Sequence, residues 1–243
     1  PIDQLMEKIV DPHVLGLSTY TWNTNYNEEL AKRVKERYPD CKIIIGGPNT
    51  PNRSEGYFES RKYVDYLTHQ EGEGSFTALL QYFVGEYELM DITGISINDA
   101  GKTIKTRPSK RIELDDVPSP YLMGLFDNIK SDHPDLIFNG VLETNRGCPF
   151  MCTFCDWGGT TFSKLKRFGM ERIALEIDWM GRNQIEMVVN SDANFGILKD
   201  RDVLIADMLI ETKEKYGYPV LFDTNWSKNA TTQLVDIAVK LLN

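Results

Sequence analysis

Short apolar runs alternate with helical patterns along most of the chain, and this alternation restricts the fold to one built on parallel sheets. Val14 to Tyr20 (VLGLSTY) and Lys42 to Ile45 (KIII) are apolar over successive residues, as strands are when both faces of a sheet are covered. Between them, Asn27 to Tyr38 places Leu30, Ala31 and Val34 at helical spacing with Lys and Arg on the other side. A weaker helix around Tyr57 to Arg61 leads to a strand at Val64 to Thr68. Glu71-Gly72-Glu73-Gly74 then turns into the apolar helix Ser75 to Val84. Strand and helix in succession at these lengths predict βα units and a parallel, doubly wound (Rossmann-like) α/β sheet. Ligands of such sheets lie at the carboxyl ends of the strands, where the turns Gly46-Gly47-Pro48 and Glu71-Gly72-Glu73 fall.

From about Met90 the period changes. Thr93 to Asn98 and Thr103 to Thr106 flank Asp99-Ala100-Gly101, a hairpin signal, and Leu114 to Tyr121, with Pro118 and Pro120, reads as a linker. A second βα series follows: strand Leu136 to Glu143, helix Gly169 to Met180, strand Ile185 to Asn190, helix Arg201 to Tyr216, strand Val220 to Phe222 and a last helix from Thr231. Three unbroken βα units predict the first part of a (β/α) barrel, which in full takes ~250 residues. The expected organisation is a truncated doubly wound domain over 1–90, a hairpin and linker over 91–134, and a partial barrel over 135–243. The chain opens on Pro1 and its last helix lacks a stop signal, so it is expected to be an excerpt of a longer protein.

A formal net charge of -9 argues against a nucleic-acid binder, because phosphate neutralisation needs clustered Lys and Arg. The basic stretch from Lys102 to Arg111 is short, interrupted by Pro108, and reads as a solvated hairpin and linker. No apolar run reaches the ~20 residues of a membrane helix. With 4 cysteines in 243 residues there is no disulfide framework, and the expected compartment is reducing, hence cytoplasmic.

Three of the cysteines fall together in Cys148-Pro149-Phe150-Met151-Cys152-Thr153-Phe154-Cys155, a C-x3-C-x2-C loop behind a strand. Clustered thiolates in a reducing compartment bind soft metals or iron–sulfur clusters. Zinc sites are normally closed by four protein ligands, and no fourth Cys or His stands nearby; Asp156 is adjacent but would strain the loop. A non-catalytic zinc or iron–sulfur module remains the alternative from a different functional class. Cys41, alone before a strand, reads as a small buried hydrophobe.

The segment from Asn145-Arg146-Gly147-Cys148 through Cys155-Asp156-Trp157-Gly158 resembles the signature loop of radical S-adenosylmethionine enzymes. The resemblance implies that Cys148, Cys152 and Cys155 hold a [4Fe–4S] cluster whose fourth iron chelates S-adenosylmethionine. An electron from that cluster then yields a 5′-deoxyadenosyl radical. It also implies that Phe154 packs near the adenosyl group and that a reductant such as flavodoxin or ferredoxin serves the cluster. Where many members carry Gly-Gly-Glu, this chain has Asn190-Ser191-Asp192-Ala193-Asn194-Phe195-Gly196. Its D-x-N-F form is similar to the cobalamin-dependent branch, making Asp192 and Asn194 candidates for the S-adenosylmethionine site, with a helix-capping turn as the alternative. Asn225, in Thr224-Asn225-Trp226, would reach the ribose or cap a strand.

The amino-terminal half resembles the cobalamin-binding module that precedes the barrel in that branch. The match runs through Val14-Leu15-Gly16-Leu17-Ser18, Thr21-Trp22-Asn23, Gly46-Gly47-Pro48 and Glu71-Gly72-Glu73. It implies cobalamin contacts from Ser18, Thr21, Gly46, Gly47, Pro48, Glu71, Gly72 and Glu73, the glycines allowing the flat corrin close to the backbone. Asp11-Pro12-His13-Val14-Leu15-Gly16 spells D-x-H-x-x-G, but His13 stands at the start of a strand, the wrong end of the sheet for a cobalt ligand. His69 reads as a structural histidine, and Trp22 and Trp157 as core aromatics before cofactor contacts. The implied reaction is cobalamin-dependent methyl transfer to an unreactive centre, with a cobalamin-dependent radical rearrangement as the alternative. The substrate, small molecule or peptide, and any acid or base side chain stay unidentified.

Overall fold

The computed structural model describes residues 2–109, 111–150, 152–155, 164–229 and 232–242. The chain forms two compact units, Pro1–Ile112 and Glu113–Asn243.

In the first unit, α1 (Ile2–Lys8) precedes β1 (Val14–Ser18), α2 (Thr24–Arg37) and β2 (Lys42–Gly46). A 3-10 turn at Tyr57–Glu59 leads to β3 (Tyr66–Thr68) and α3 (Gly72–Phe83); a second, Leu89–Asp91, leads to β4 (Ile95–Asp99) and β5 (Lys102–Lys105). The sheet order is β1-β2-β3-β4-β5, with β1, β2 and β3 parallel and β4 and β5 antiparallel. The three isoleucines of β2 show why the run is apolar throughout. Ile43 and Ile45 pack with Leu30, Ala31 and Val34 of α2, while Ile44 faces the opposite core with Leu79 of α3, Ile95 and Ile97. Each such burial contributes roughly 1.5–3 kcal/mol before entropy is counted. The hairpin does not stand apart between domains as expected. Tyr66 pairs with Ile97, so β4 and β5 extend the first sheet and make it mixed, because Ile95 and Ile97 are needed to cover α3.

In the second unit, a 3-10 turn at Leu114–Asp116 and α4 (Ile129–Asp132) come before β6 (Asn139–Leu142). The two-residue strands β7 (Asn145–Arg146) and β8 (Lys166–Arg167) pair antiparallel and close the base of the cysteine loop. Then follow α5 (Met170–Arg182), β9 (Met187–Phe195), α6 (Lys199–Tyr216), β10 (Leu221–Trp226) and α7 (Thr232–Leu242). The three long strands lie in the order β10-β9-β6, all parallel. Ile173, Ile177 and Met180 of α5 and Ile205, Ala206 and Leu209 of α6 pack on Leu142, Val188 and Phe195. Along β6 and β10 the other face is open: Val141 is 57% and Leu221 58% exposed. The Pro-rich stretch expected as a linker is docked on this unit. Leu114 enters this core, Asp115 Oδ1 accepts from Gly169 N at 2.8 Å, and Tyr121 packs 5.0 Å from Trp179. Its prolines break the regular pattern without preventing the side chains on either side of them from packing.

Candidate cofactor site

The cysteine loop leaves the sheet at the carboxyl end of β6, and its stem is fixed by side chains from β9 and α6. Asp192 is fully buried, and its carboxylate accepts four hydrogen bonds: from Thr144 N (2.7 Å), Asn145 N (3.0 Å), Asn145 Nδ2 (2.7 Å) and the Thr144 hydroxyl. Burial pushes this carboxyl up, while the Thr144 and Asn145 donors pull it down. Arg201 of α6 donates to the carbonyls of Thr144 (2.9 Å) and Phe168 (2.7 Å), joining the two stems of the loop. Gly147 then takes φ +110°, a region that favours glycine, as the chain turns out of β7 into Cys148.

Within the loop, the three thiols have different surroundings. Cys148 is buried, and its Sγ accepts from Asn194 Nδ2 at 3.1 Å. Cys152 Sγ accepts from Lys228 Nζ at 2.8 Å, and Cys155 N donates to Cys152 O at 3.1 Å, closing a tight turn. Lys228 also lies 5.6 Å from the Phe150 ring centroid and 5.8 Å from that of Phe154, whose side chain is 87% exposed. The hydrogen bond to Cys152 holds the Lys228 ammonium above its ordinary value, with the sulfurs of Cys148 and Cys155 adding to it. Among the described residues no three His, Cys, Asp or Glu side chains are gathered as they would be around one metal ion. A four-iron cluster asks for something else: each thiolate takes a separate iron at a corner of the cluster. Three soft thiols on one loop, with N–H donors aimed at two of the sulfurs, fit that demand. Asn194 Oδ1 is buried and, among the described residues, unpartnered, so the same side chain also presents an acceptor.

Of the positions singled out on this unit, Asn194 reaches the cysteines, while Asp192 is engaged at the stem of the loop. Its oxygens accept from Thr144 and Asn145, so Asp192 holds that stem. Asn225 is exposed at the irregularity between Thr224 and Trp226 of β10. Asp156 and Trp157 lie outside the described residues. Lys228 and Arg201 were not legible as site residues, since an isolated cation carries no local signal; only pairing along β9 and β10 brings Lys228 to the loop.

Asp202, also unanticipated, sits under the same region. Its Oδ2 accepts from Gly196 N (2.8 Å) and Leu198 N (2.9 Å), while Oδ1 is buried without a partner among the described residues. Burial pushes its carboxyl up to about 6 from 3.8. A folded value above the unfolded one means that the fold favours the protonated form. Stability is then greatest at pH below the unfolded value and is lost as pH rises through 6. Wild-type protein is expected to lose on the order of 1 kcal/mol between pH 5 and pH 8 through this group. In Asp202→Asn that part of the slope should vanish; urea midpoints showing an unchanged slope would refute the assignment.

In the first unit the candidate residues gather at the carboxyl ends of β1, β2 and β3. Thr19 N donates to Gly46 O (2.7 Å) and Asn49 N to Thr19 O (3.0 Å), with Glu71 and Gly72 at the start of α3 beside Thr68. Thr21 and Pro48 are exposed, Ser18 ends β1 and Glu73 lies in the first turn of α3. The glycines have a reason that needs no corrin. A Cβ at Gly46 would stand 2.3 Å from Thr68 Oγ1, and one at Gly47, where φ is +95°, 2.6 Å from Thr19 N. Trp22 is not core: it is exposed and stacks on Tyr20 at 4.6 Å. His69 Nε2 meets Ser96 Oγ at 2.7 Å and burial lowers its pKa, in keeping with a structural histidine. His13 is exposed immediately before β1, away from these strand ends. A groove of about 470 Å³ lined by Glu55, Glu59, Lys62 and Lys102 lies by the β4–β5 turn. Because β4 runs antiparallel to β3, that groove is level with the amino ends of β1–β3, away from the candidate residues.

No protein-family model matches the chain. It is 39% identical over 242 residues to the cobalamin-dependent radical SAM methyltransferase TokK of Streptomyces tokunonensis, covering 98% of this chain and 35% of TokK. It is 37% identical over 241 residues to the 2-(S-pantetheinyl)-carbapenam-3-carboxylate methyltransferase of Streptantibioticus cattleyicolor, again covering 98% of this chain and 35% of the relative. The chain thus spans about a third of the length of these curated relatives. Its fold is similar to that of the radical S-adenosylmethionine methyltransferase TsrM from Kitasatospora setae, solved with cobalamin and a [4Fe–4S] cluster bound. That match has a TM-score of 0.72 at 12% identity and covers 99% of this chain and 49% of TsrM. Among the described residues no helix is long and apolar enough to cross a membrane.

Proposed function

We infer that this chain, which belongs to the cobalamin-binding radical S-adenosylmethionine enzymes, is the cofactor-holding portion of a methyltransferase. The observation that carries the reading is the cysteine loop itself: three thiols between anchored stems, with Asn194 and Lys228 directed at two of the sulfurs. Cys148, Cys152 and Cys155 would each ligate one iron and leave the fourth for S-adenosylmethionine. Phe154 offers an exposed ring for the adenosyl group, Asn194 Oδ1 an acceptor, and Asn225 a polar group toward the ribose. In the first unit, Ser18, Thr21, Gly46, Gly47, Pro48, Glu71, Gly72 and Glu73 would line the cobalamin side of the strand ends. When bound, the cluster with S-adenosylmethionine supplies radical initiation by one-electron cleavage of the sulfonium, and cobalamin supplies methyl relay to an unreactive carbon.

The finer fold reading follows the same line. The first unit corresponds to part of a doubly wound cobalamin-binding domain. The second corresponds to the opening βα units of a (β/α) barrel, a reading supported by the sequential parallel order β6-β9-β10 and by the exposed Val141 and Leu221 on the face away from α5 and α6. A one-electron donor of the flavodoxin or ferredoxin class and a methyl acceptor, small molecule or peptide, are the proposed partners.

The test is anaerobic reconstitution with iron and sulfide, reduction, and EPR spectroscopy with and without S-adenosylmethionine. A reduced [4Fe–4S] signal that changes on adding S-adenosylmethionine is expected. Tight zinc binding with no cluster would overturn the reading in favour of a structural metal module.

A further inference from the structure

Resting on the cluster reading of Cys148, Cys152 and Cys155, a further role falls to Lys228. The end of β10 is tied to the end of β9: Trp226 pairs with Phe195, and Ser227 N donates to Phe195 O at 2.8 Å. Lys228 follows directly and is thereby delivered to the loop. Its Nζ lies 2.8 Å from Cys152 Sγ, between the rings of Phe150 and Phe154 at 5.6 and 5.8 Å. Among the described residues, the sulfurs of Cys152, Cys148 and Cys155 all act on its ammonium. A lysine on an exposed segment would ordinarily spread its ammonium into solvent; here two aromatic faces and a sulfur hold it in place.

We propose that Lys228 is a positioning residue for the cluster, its ammonium counter-charging the Cys152 thiolate and raising the cluster's reduction potential. The physical reason is charge. Reduction adds one electron from an external donor, with no bond made or broken, so the ligated cluster becomes more negative by one unit. A fixed cation and an N–H directed at a ligand sulfur stabilise that reduced form more than the oxidised one, and hydrogen bonds to sulfur and net charge are known determinants of cluster potential. Asn194, neutral and directed at Cys148 in the buried part of the loop, supplies the hydrogen-bond component there without the charge.

The test is a dithionite-poised redox titration of the reconstituted protein, followed by EPR, for wild type, Lys228→Met and Lys228→Arg at equal iron content. Lys228→Met is expected to lower the reduced-to-oxidised ratio at a fixed poise by about tenfold, equivalent to 59 mV for one electron, and Lys228→Arg to restore it. A Met variant with the wild-type potential overturns the proposal. Should Lys228→Met fail to retain iron, Lys228→Gln carries the same comparison, because it keeps a donor without the charge. Should only the Arg variant hold iron, the counter-charge at Cys152 stands; loss of iron from the Arg variant as well overturns it. A wild-type protein that binds no iron would instead remove the cluster reading, so the two failures are distinguishable.

Discussion

Asp192→Ala is expected to destabilise the second unit by about 3–5 kcal/mol, because several buried donors would lose their common acceptor at once. The carboxylate is sealed from solvent and is the common acceptor for two backbone N–H groups, a hydroxyl and an amide. Alanine would leave those donors buried, at ~1–3 kcal/mol for each one left unsatisfied. Asp192→Asn should rescue only part, since its amide nitrogen would face groups that are themselves donors. Because Thr144 and Asn145 lead directly into Cys148, iron loading should fall with stability. Urea unfolding and iron analysis on the same preparations test this; a loss under 1 kcal/mol would mean that the stem of the loop is held by Arg201 and the β7–β8 ladder instead.

Cys148→Ala should abolish cluster retention, whereas Cys41→Ala should leave it intact. Changing residues that merely orient a metal ligand typically costs 10–100-fold in affinity, so loss of a ligand is expected to cost at least ~100-fold. Cys148 is the buried member of the set and the one that Asn194 contacts, so as a ligand it would hold the most enclosed iron. Cys41 is also buried, but in the first unit, where it packs with Val34, Ile43 and Leu67 and its thiol is pushed up by burial. Its replacement should lower stability modestly through lost packing. Equal iron content in wild type and Cys148→Ala would remove Cys148 from the ligand set.

Both variants concern features that differ in how far sequence could reach them. The cysteine spacing was readable because all three cysteines sit within one turn-rich segment. The strands of both units were readable for a similar reason: KIII is buried on both faces, and helical spacing of Leu30, Ala31 and Val34 follows from the single face that α2 presents. Boundaries were less accurate. The strand expected to stop at Asn190 runs on to Phe195, and the one expected to stop at Phe222 runs to Trp226. Their later residues, Asp192, Asn194 and Asn225 among them, are mostly polar and carry no apolar run.

What the sequence alone determined is therefore local: the period of each element, the order of βα units, and a loop whose thiols select soft metal chemistry. What only the tertiary structure decided is which distant residues meet. Asn194 reaches Cys148 across 46 positions, Asp192 reaches Thr144 across 48, and Lys228 reaches Cys152 across 76. The same holds for the hairpin that joins the first sheet, for the proline stretch that docks on the second core, and for Gly46, whose neighbour Thr68 lies on another strand. Each depends on strand register and chain crossing, which bring together side chains that have no fixed spacing in sequence. Periodicity records only the face on which a residue lies, not the partner it meets there.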